Sequence, residues 1–199
     1  MPSEMEWRAE DHPFFEDLEN PHLGGFRIGG DEATTYPDLW TWVVNDHKVE
    51  SVIDVGCGDG VAVRFFETLL PGSVIGIDGV KQEAKNILQK DYTQGPGPIA
   101  KPYDLVWCCE FVEHVEEKFI PNFLETFKCA KTVLMTHAMP GQAGHHHVNL
   151  RTPTYWIGAM AAIGYRLDEE LTKKTRELAG LNKSPHNHFV RSGMAFVKN

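Results

Sequence analysis

The chain has 199 residues, 42% of them hydrophobic and 24% charged, which suits one globular domain able to bury a core without disulfides or structural metal. With 19 Lys and Arg against 28 Asp and Glu, the formal net charge is −9, which excludes broad affinity for a phosphate backbone or an anionic membrane surface. No apolar run approaches the ~18 residues of a membrane span. The acidic N-terminus lacks the basic and apolar regions of a signal peptide. Four cysteines (57, 108, 109, 129) without a CxxC read as free thiols, so a cytoplasmic protein with a small-molecule partner is expected.

Residues 1–36 carry scattered aromatics (Trp7, Phe14, Phe15, Phe26, Tyr36) and the pairs Gly24-Gly25 and Gly29-Gly30. They are expected to be an irregular extension, with His22 to Tyr36 as a cover for a site, ahead of a single domain over 37–199. Asp31 and Tyr36 are speculative ligand contacts, although aromatics there more often pack. Pro37 opens a predicted helix carrying Leu39, Trp40, Val43 and Val44. Short β-branched runs follow at Ser51–Val55, Ser73–Ile77, Tyr103–Cys108 and Thr132–Thr136, with a shorter strand at Ile87–Lys90. Such runs suit strands buried on both faces of a parallel sheet. Helical spacing lies between them at Ala62, Phe65, Phe66 and Leu69, at Ile120, Phe123, Leu124 and Phe127, and at Trp156, Ala159, Met160 and Ile163. Thr152 and Pro153 fit the start of the last of these helices. Residues 95–102 read as a loop, Asp168–Ala179 as an exposed helix capped by Gly180, and Phe189–Val197 as a final strand. Strand alternating with helix predicts a doubly wound α/β sheet.

Asp54-Val-Gly56-Cys57-Gly58-Asp-Gly60 follows a strand and precedes a helix. Glycines there permit a sharp turn and close approach of a ligand, and the helix start offers free N–H groups; the bland alternative is a plain strand-to-helix turn. The spacing is GxGxG rather than the GxGxxG of a dinucleotide site. Asp54 would repel a pyrophosphate and suits a cationic ligand, a sulfonium with an α-amino group such as S-adenosylmethionine. Asp78, with Gly79 behind it, ends the second strand and can accept two ribose hydroxyls. Asp91 can accept an adenine amino hydrogen, with Tyr92 supplying backbone contact or packing; a surface turn is the competing reading.

These motifs, VIDVGCGDG (52–60), GID (76–78), KDY (90–92) and DLVWCCEFVEHV (104–115), resemble those of class I S-adenosylmethionine-dependent methyltransferases. The Glu-x-x-Glu-His-Val stretch is similar to the methyltransferases of quinone biosynthesis. The resemblance covers about residues 50–165. It implies a Rossmann-like, doubly wound, seven-stranded sheet, mostly parallel with an antiparallel last strand. It also implies S-adenosylmethionine as cofactor: Asp54, Gly56, Cys57 and Gly58 at its methionine part, Asp78 and Gly79 at the ribose, Asp91 and Tyr92 at the adenine, and Cys109 and Glu110 beside the sulfonium. The pattern departs from the family after the fourth strand and at 168–180, so no substrate is implied.

The expected acceptor side is the loop 136–149, THAMPGQAGHHHVN. A hydroxyl acceptor has a proton to lose, and histidine, with an ordinary pKa of about 6.5, is the usual base. One of His145, His146 and His147 is the candidate, His147 favoured and His114 the rival; a surface loop and a structural His114 are the bland readings. His186-x-His188 beside the trio has no acid or cysteine in register, so no metal site is assigned. No Asn/Asp-Pro-Pro-Tyr/Phe motif follows the fourth strand, which disfavours DNA or protein amides as acceptors. A nicotinamide dehydrogenase and a non-catalytic cofactor- or metal-binding module are the alternatives.

Overall fold

The computed structural model describes residues 13–97 and 101–199; Trp7 and part of the loop 95–102 lie outside them. The chain enters through a short antiparallel hairpin, β1 (Phe14–Glu16) and β2 (Gly24–Arg27). Helix α1 (Pro37–Asn45) then leads to β3 (Val52–Val55), α2 (Val61–Leu69), β4 (Val74–Asp78), β5 (Ile87–Gln89) and β6 (Tyr103–Cys108). After these come α3 (Ile120–Phe127), β7 (Ala130–Met135), α4 (Pro153–Ala162), β8 (Tyr165–Leu167), α5 (Glu169–Ala179), α6 (His188–Ser192) and β9 (Met194–Lys198).

Seven strands form one sheet in the order β5-β4-β3-β6-β7-β9-β8. The pairs among β3 to β7 are parallel; β9 lies antiparallel between β7 and β8. Alternate side chains feed two cores, as the period of a strand requires. Ile53, Val106, Cys108 and Val133 pack with Phe123 and Phe127 of α3 and Trp156 and Met160 of α4. Val52, Leu105, Trp107 and Leu134 pack with α1, α2, α5 and α6 through Trp40, Phe66, Leu171 and Phe189. The doubly wound sheet expected from the sequence is therefore present. Its strand order reverses between β3 and β6, so a crevice opens at their carboxyl ends, where this architecture binds ligands. Among the described residues, no helix is long and apolar enough to cross a membrane.

Several expectations are corrected. The final strand is shorter than 189–197: residues 188–192 are helical because the Asn187 side chain accepts from Val190 N at 3.0 Å, and Phe189 stacks on Trp107 at 5.2 Å. Helix α5 is not simply exposed, since Leu171, Thr175 and Ala179 are buried on one face; Asp168 caps it by accepting from Leu171 N at 2.9 Å. Strand β8 is three residues long, too short to register as a periodic run. His114 ends a single 3-10 turn, and α3 begins at Ile120.

Tyr36 is buried with 1% exposure; its hydroxyl accepts from Phe189 N at 3.0 Å and donates to the Ala33 carbonyl. It is a joint between the N-terminal segment and α6, not a cavity wall. Tyr36→Phe leaves a buried N–H without its acceptor and is expected to cost about 1–3 kcal/mol of stability. Urea midpoints measure the loss; unchanged affinity for S-adenosylhomocysteine in the folded variant confirms that the hydroxyl is structural.

Candidate active site

The glycine turn sits at the carboxyl end of β3. Gly56, Gly58 and Gly60 have φ of +74°, +54° and +88°, values L side chains rarely adopt. A Cβ on Gly56 would lie 2.5 Å from the Phe111 ring, and one on Gly58 3.1 Å from the Phe26 ring. The turn is anchored from behind, since Gly56 N and Cys57 N donate to the Ile77 carbonyl at 2.8 and 3.2 Å. The Cys57 thiol is turned onto Gly76, where an added Cβ would stand 2.7 Å from it.

The expected acids gather around this turn. Asp54 is buried on β3; burial first, then the charge of Asp78, pushes its carboxyl well above the usual range. Asp78 accepts from Gly58 N and Val80 N, both at 2.8 Å, yet burial outweighs these amide bonds and lifts its pKa to about 6. Asp91 begins the turn after β5. Burial alone would raise it, but bonds from Thr93 and His22 prevail and lower it. Tyr92 turns its ring into the core and bonds Thr126 at 2.9 Å through its hydroxyl, and the residue also lines the first chamber.

Two connected chambers result. The first is lined by His22, Gly79, Asp78, Asp91, Phe111 and His146. The second is lined by Asp54, Cys57, Cys109, His145, His147 and His188. Gly56, Gly58, Glu110 and His114 border both. The β1–β2 hairpin lies across them: His22 Nε2 meets Asp91 at 3.2 Å, Gly29 N donates to Asp59 at 2.6 Å, and His145 Nδ1 meets Glu16 at 3.3 Å. Asp31 caps its own turn by accepting from Thr34 N at 3.1 Å while lining the second chamber.

At the end of β6, Glu110 has φ +51°. Thr136 holds it there: Glu110 N donates to Thr136 Oγ1 at 2.7 Å, and that hydroxyl donates to Glu110 Oε1 at 2.8 Å. The other carboxylate oxygen meets His188 Nδ1 at 2.8 Å. Burial opposes charge on both partners, but their pairing wins, lowering Glu110 and raising His188. The sequence reading treated His188 only as a metal option, because no local spacing links it to Glu110. Of the expected histidines, His145 packs against Phe14, His146 lines the first chamber at φ +43°, and His147 bonds the Gln142 carbonyl through Nδ1 at 3.0 Å. His114 lies with its ring centre 5.0 Å from that of His147. His186 is exposed, away from both chambers.

A family model described as a methyltransferase domain matches residues 33–170. A SAM-dependent methyltransferase from Archaeoglobus fulgidus superposes with a TM-score of 0.55 at 16% identity, covering 86% of this chain and 96% of that one. An O-methyltransferase from a Brevibacillus brevis polyketide multienzyme, in complex with S-adenosylhomocysteine, gives 0.54 at 18% identity, with 80% and 70% covered. The magnesium protoporphyrin IX methyltransferase of Synechocystis with bound SAM gives 0.53 at 13% identity, with 81% and 76% covered. No curated protein matches the chain. In family match, fold and motifs, the chain belongs to the methyltransferase-domain family and is a class I S-adenosylmethionine-dependent methyltransferase.

Proposed function

We propose that the enzyme methylates a hydroxyl of a small molecule or sugar, with the Glu110–His188 pair taking the hydroxyl proton. The observation that carries this is the 2.8 Å contact between His188 Nδ1 and a Glu110 carboxylate held by Thr136 at the edge of both chambers. S-adenosylmethionine supplies a methyl group already activated on a cationic sulfur. The residues then have to hold the acceptor oxygen in line, exclude water and accept one proton.

The fit to that cofactor is chemical. Gly56 and Gly58 line both chambers, and an ammonium or sulfonium beside Asp54 would oppose the effect of burial and favour its ionised form. Asp78 stands ready for ribose hydroxyls in the first chamber, with Asp91 and the Tyr92 backbone beyond it for adenine. In the second chamber, Glu110 fixes His188 Nδ1, so Nε2 is the nitrogen left to receive a proton, and the carboxylate offsets the charge that forms on the ring. His147 lacks a carboxylate behind it, its Nδ1 being bonded to a carbonyl. This favours His188 over the His147 expected from the sequence. We read residues 1–36 as a cover on a domain spanning 37–199, supported by the hairpin contacts to Asp91 and Asp59. The free state of all four cysteines supports a reducing, cytoplasmic setting. The net charge of −9 argues against nucleic acid as acceptor.

Two outcomes test this reading. Ribose hydroxyls donate to an ionised carboxylate, and Asp78 titrates near about 6. Affinity for S-adenosylhomocysteine is therefore expected to fall as pH drops below that value, and Asp78→Ala to weaken it about tenfold or more at neutral pH, the loss of charge-assisted bonds of roughly 1.5–3 kcal/mol. Calorimetry across pH measures both; a flat profile with unchanged affinity in the variant removes Asp78 from the site. Acceptors are found by incubating a metabolite extract with labelled cofactor. On the labelled acceptor, His188→Ala is expected to lower kcat about 10²–10⁴-fold with little change in cofactor affinity; undiminished turnover rejects His188 as the base.

A further inference from the structure

Behind Glu110 lies a group of side chains to which the reading above gives no task. Glu113 has 0% exposure, and among the described residues neither carboxylate oxygen has a hydrogen-bond partner. The adjacent His114 has a buried Nδ1 that is likewise unpartnered. The His147 ring meets the His114 ring at a steep 73°. One ligand atom from each of Glu113, His114 and His147 lies within 4.8 Å of the others.

The scaffold holds this arrangement in place. Val148 N and Asn149 N both donate to the Glu113 backbone carbonyl at 3.0 Å, tying the histidine loop to the turn that carries Glu113 and His114. The Gln142 carbonyl accepts from His147 Nδ1, which leaves the Nε2 lone pair as the ring's ligand atom. Such a backbone bond to the second nitrogen is the usual orienting contact of a metal-bound histidine. Gly144 makes room for the ring: a Cβ there would stand 2.2 Å from His147 Nε2.

The Glu113 oxygens and His114 Nδ1 have no hydrogen-bond partner among the described residues. A buried carboxylate without a donor is costly, and the neighbouring Glu110 adds like charge. A cation satisfies all three groups at once. Two imidazole nitrogens and one carboxylate oxygen are the donor set of open zinc and related sites, in which the remaining positions stay free for an oxygen ligand.

We propose that Glu113, His114 and His147 bind one divalent first-row transition-metal ion, of which zinc is the representative. His114 borders both chambers and His147 the second, so the open positions of the ion face the acceptor side. A bound ion there would polarise an acceptor oxygen as a Lewis acid. The site stands independently of the acceptor's identity and of the role given to His188.

The test uses the full chain, stripped with a chelator and titrated separately with Zn²⁺ and Co²⁺ by calorimetry, with the Co²⁺ visible absorption as a ligand-sensitive signal. S-adenosylhomocysteine binding is measured in the same samples as the check on folding and on the cofactor reading. One ion per chain is expected. Glu113→Gln and His147→Ala should each weaken it at least tenfold and alter the Co²⁺ spectrum, while His186→Ala leaves both unchanged. Gly144→Ala retains every ligand and should weaken binding by displacing the His147 ring. No uptake at millimolar ion, or uptake indifferent to Glu113→Gln, His147→Ala and Gly144→Ala, overturns the proposal. Loss of ion binding with S-adenosylhomocysteine affinity intact supports it.

Discussion

A row of carboxylates withheld from water along the carboxyl edge of the sheet is the constraint on which the site depends. Asp54 and Glu113 are buried, and Asp78 and Glu110 are nearly so. Each sits at or just beyond a strand end, where the backbone turns away and its amides become available. Like charges gathered in a low dielectric repel one another and lose solvation. The fold answers differently at each position: backbone amides for Asp78, an imidazole and a hydroxyl for Glu110, and, for the Glu113 oxygens, no hydrogen-bond partner among the described residues. A cation at such an edge favours the charged forms that burial opposes, and a sulfonium with an ammonium group is one.

The same burial sets stability against function. A carboxyl whose folded pKa rises from 3.8 to about 6 stabilises the fold most when protonated. That contribution, on the order of 3 kcal/mol, is complete below pH ~4 and is lost as pH climbs through ~6. Ribose recognition has the opposite sign, since it requires the ionised form. The protein therefore holds Asp78 in its less stable state at neutral pH, and in the proposed reading ligand hydroxyls would restore what burial removes. Sites of ligand binding commonly carry such local cost.

Much of this was legible in the sequence because it depends on local pattern. Short continuous apolar runs point to the parallel strands, and the GxGxG turn with Asp54, Asp78 and Asp91 points to residues that line the two chambers. The missing pieces depend on contacts between distant segments. His188 meets Glu110 only because the antiparallel β9 brings α6 back over the end of β6. An apolar stretch at 189–197 suggested a strand throughout, yet the Asn187 cap and the stacking of Phe189 on Trp107 convert its first half to helix. Likewise, the acid that accompanies His147 is Glu113, and no spacing within the histidine loop reveals it.

The N-terminal hairpin and the histidine loop form a coupled pair. Gly25 has φ +84°, and a Cβ there would lie 2.7 Å from the His145 ring. A Cβ on Gly79 would meet Leu23 at 2.3 Å on the opposite side. The strap is therefore wedged between the turn after β4 and the histidine loop, with His22 and Glu16 making contacts to Asp91 and His145. These partly exposed ion pairs contribute little energy, about 0–1 kcal/mol each, so shape rather than charge fixes the strap. One side of the hairpin rests on the first chamber and the other on His145, so the same strap, through Gly25 and Phe26, walls both chambers.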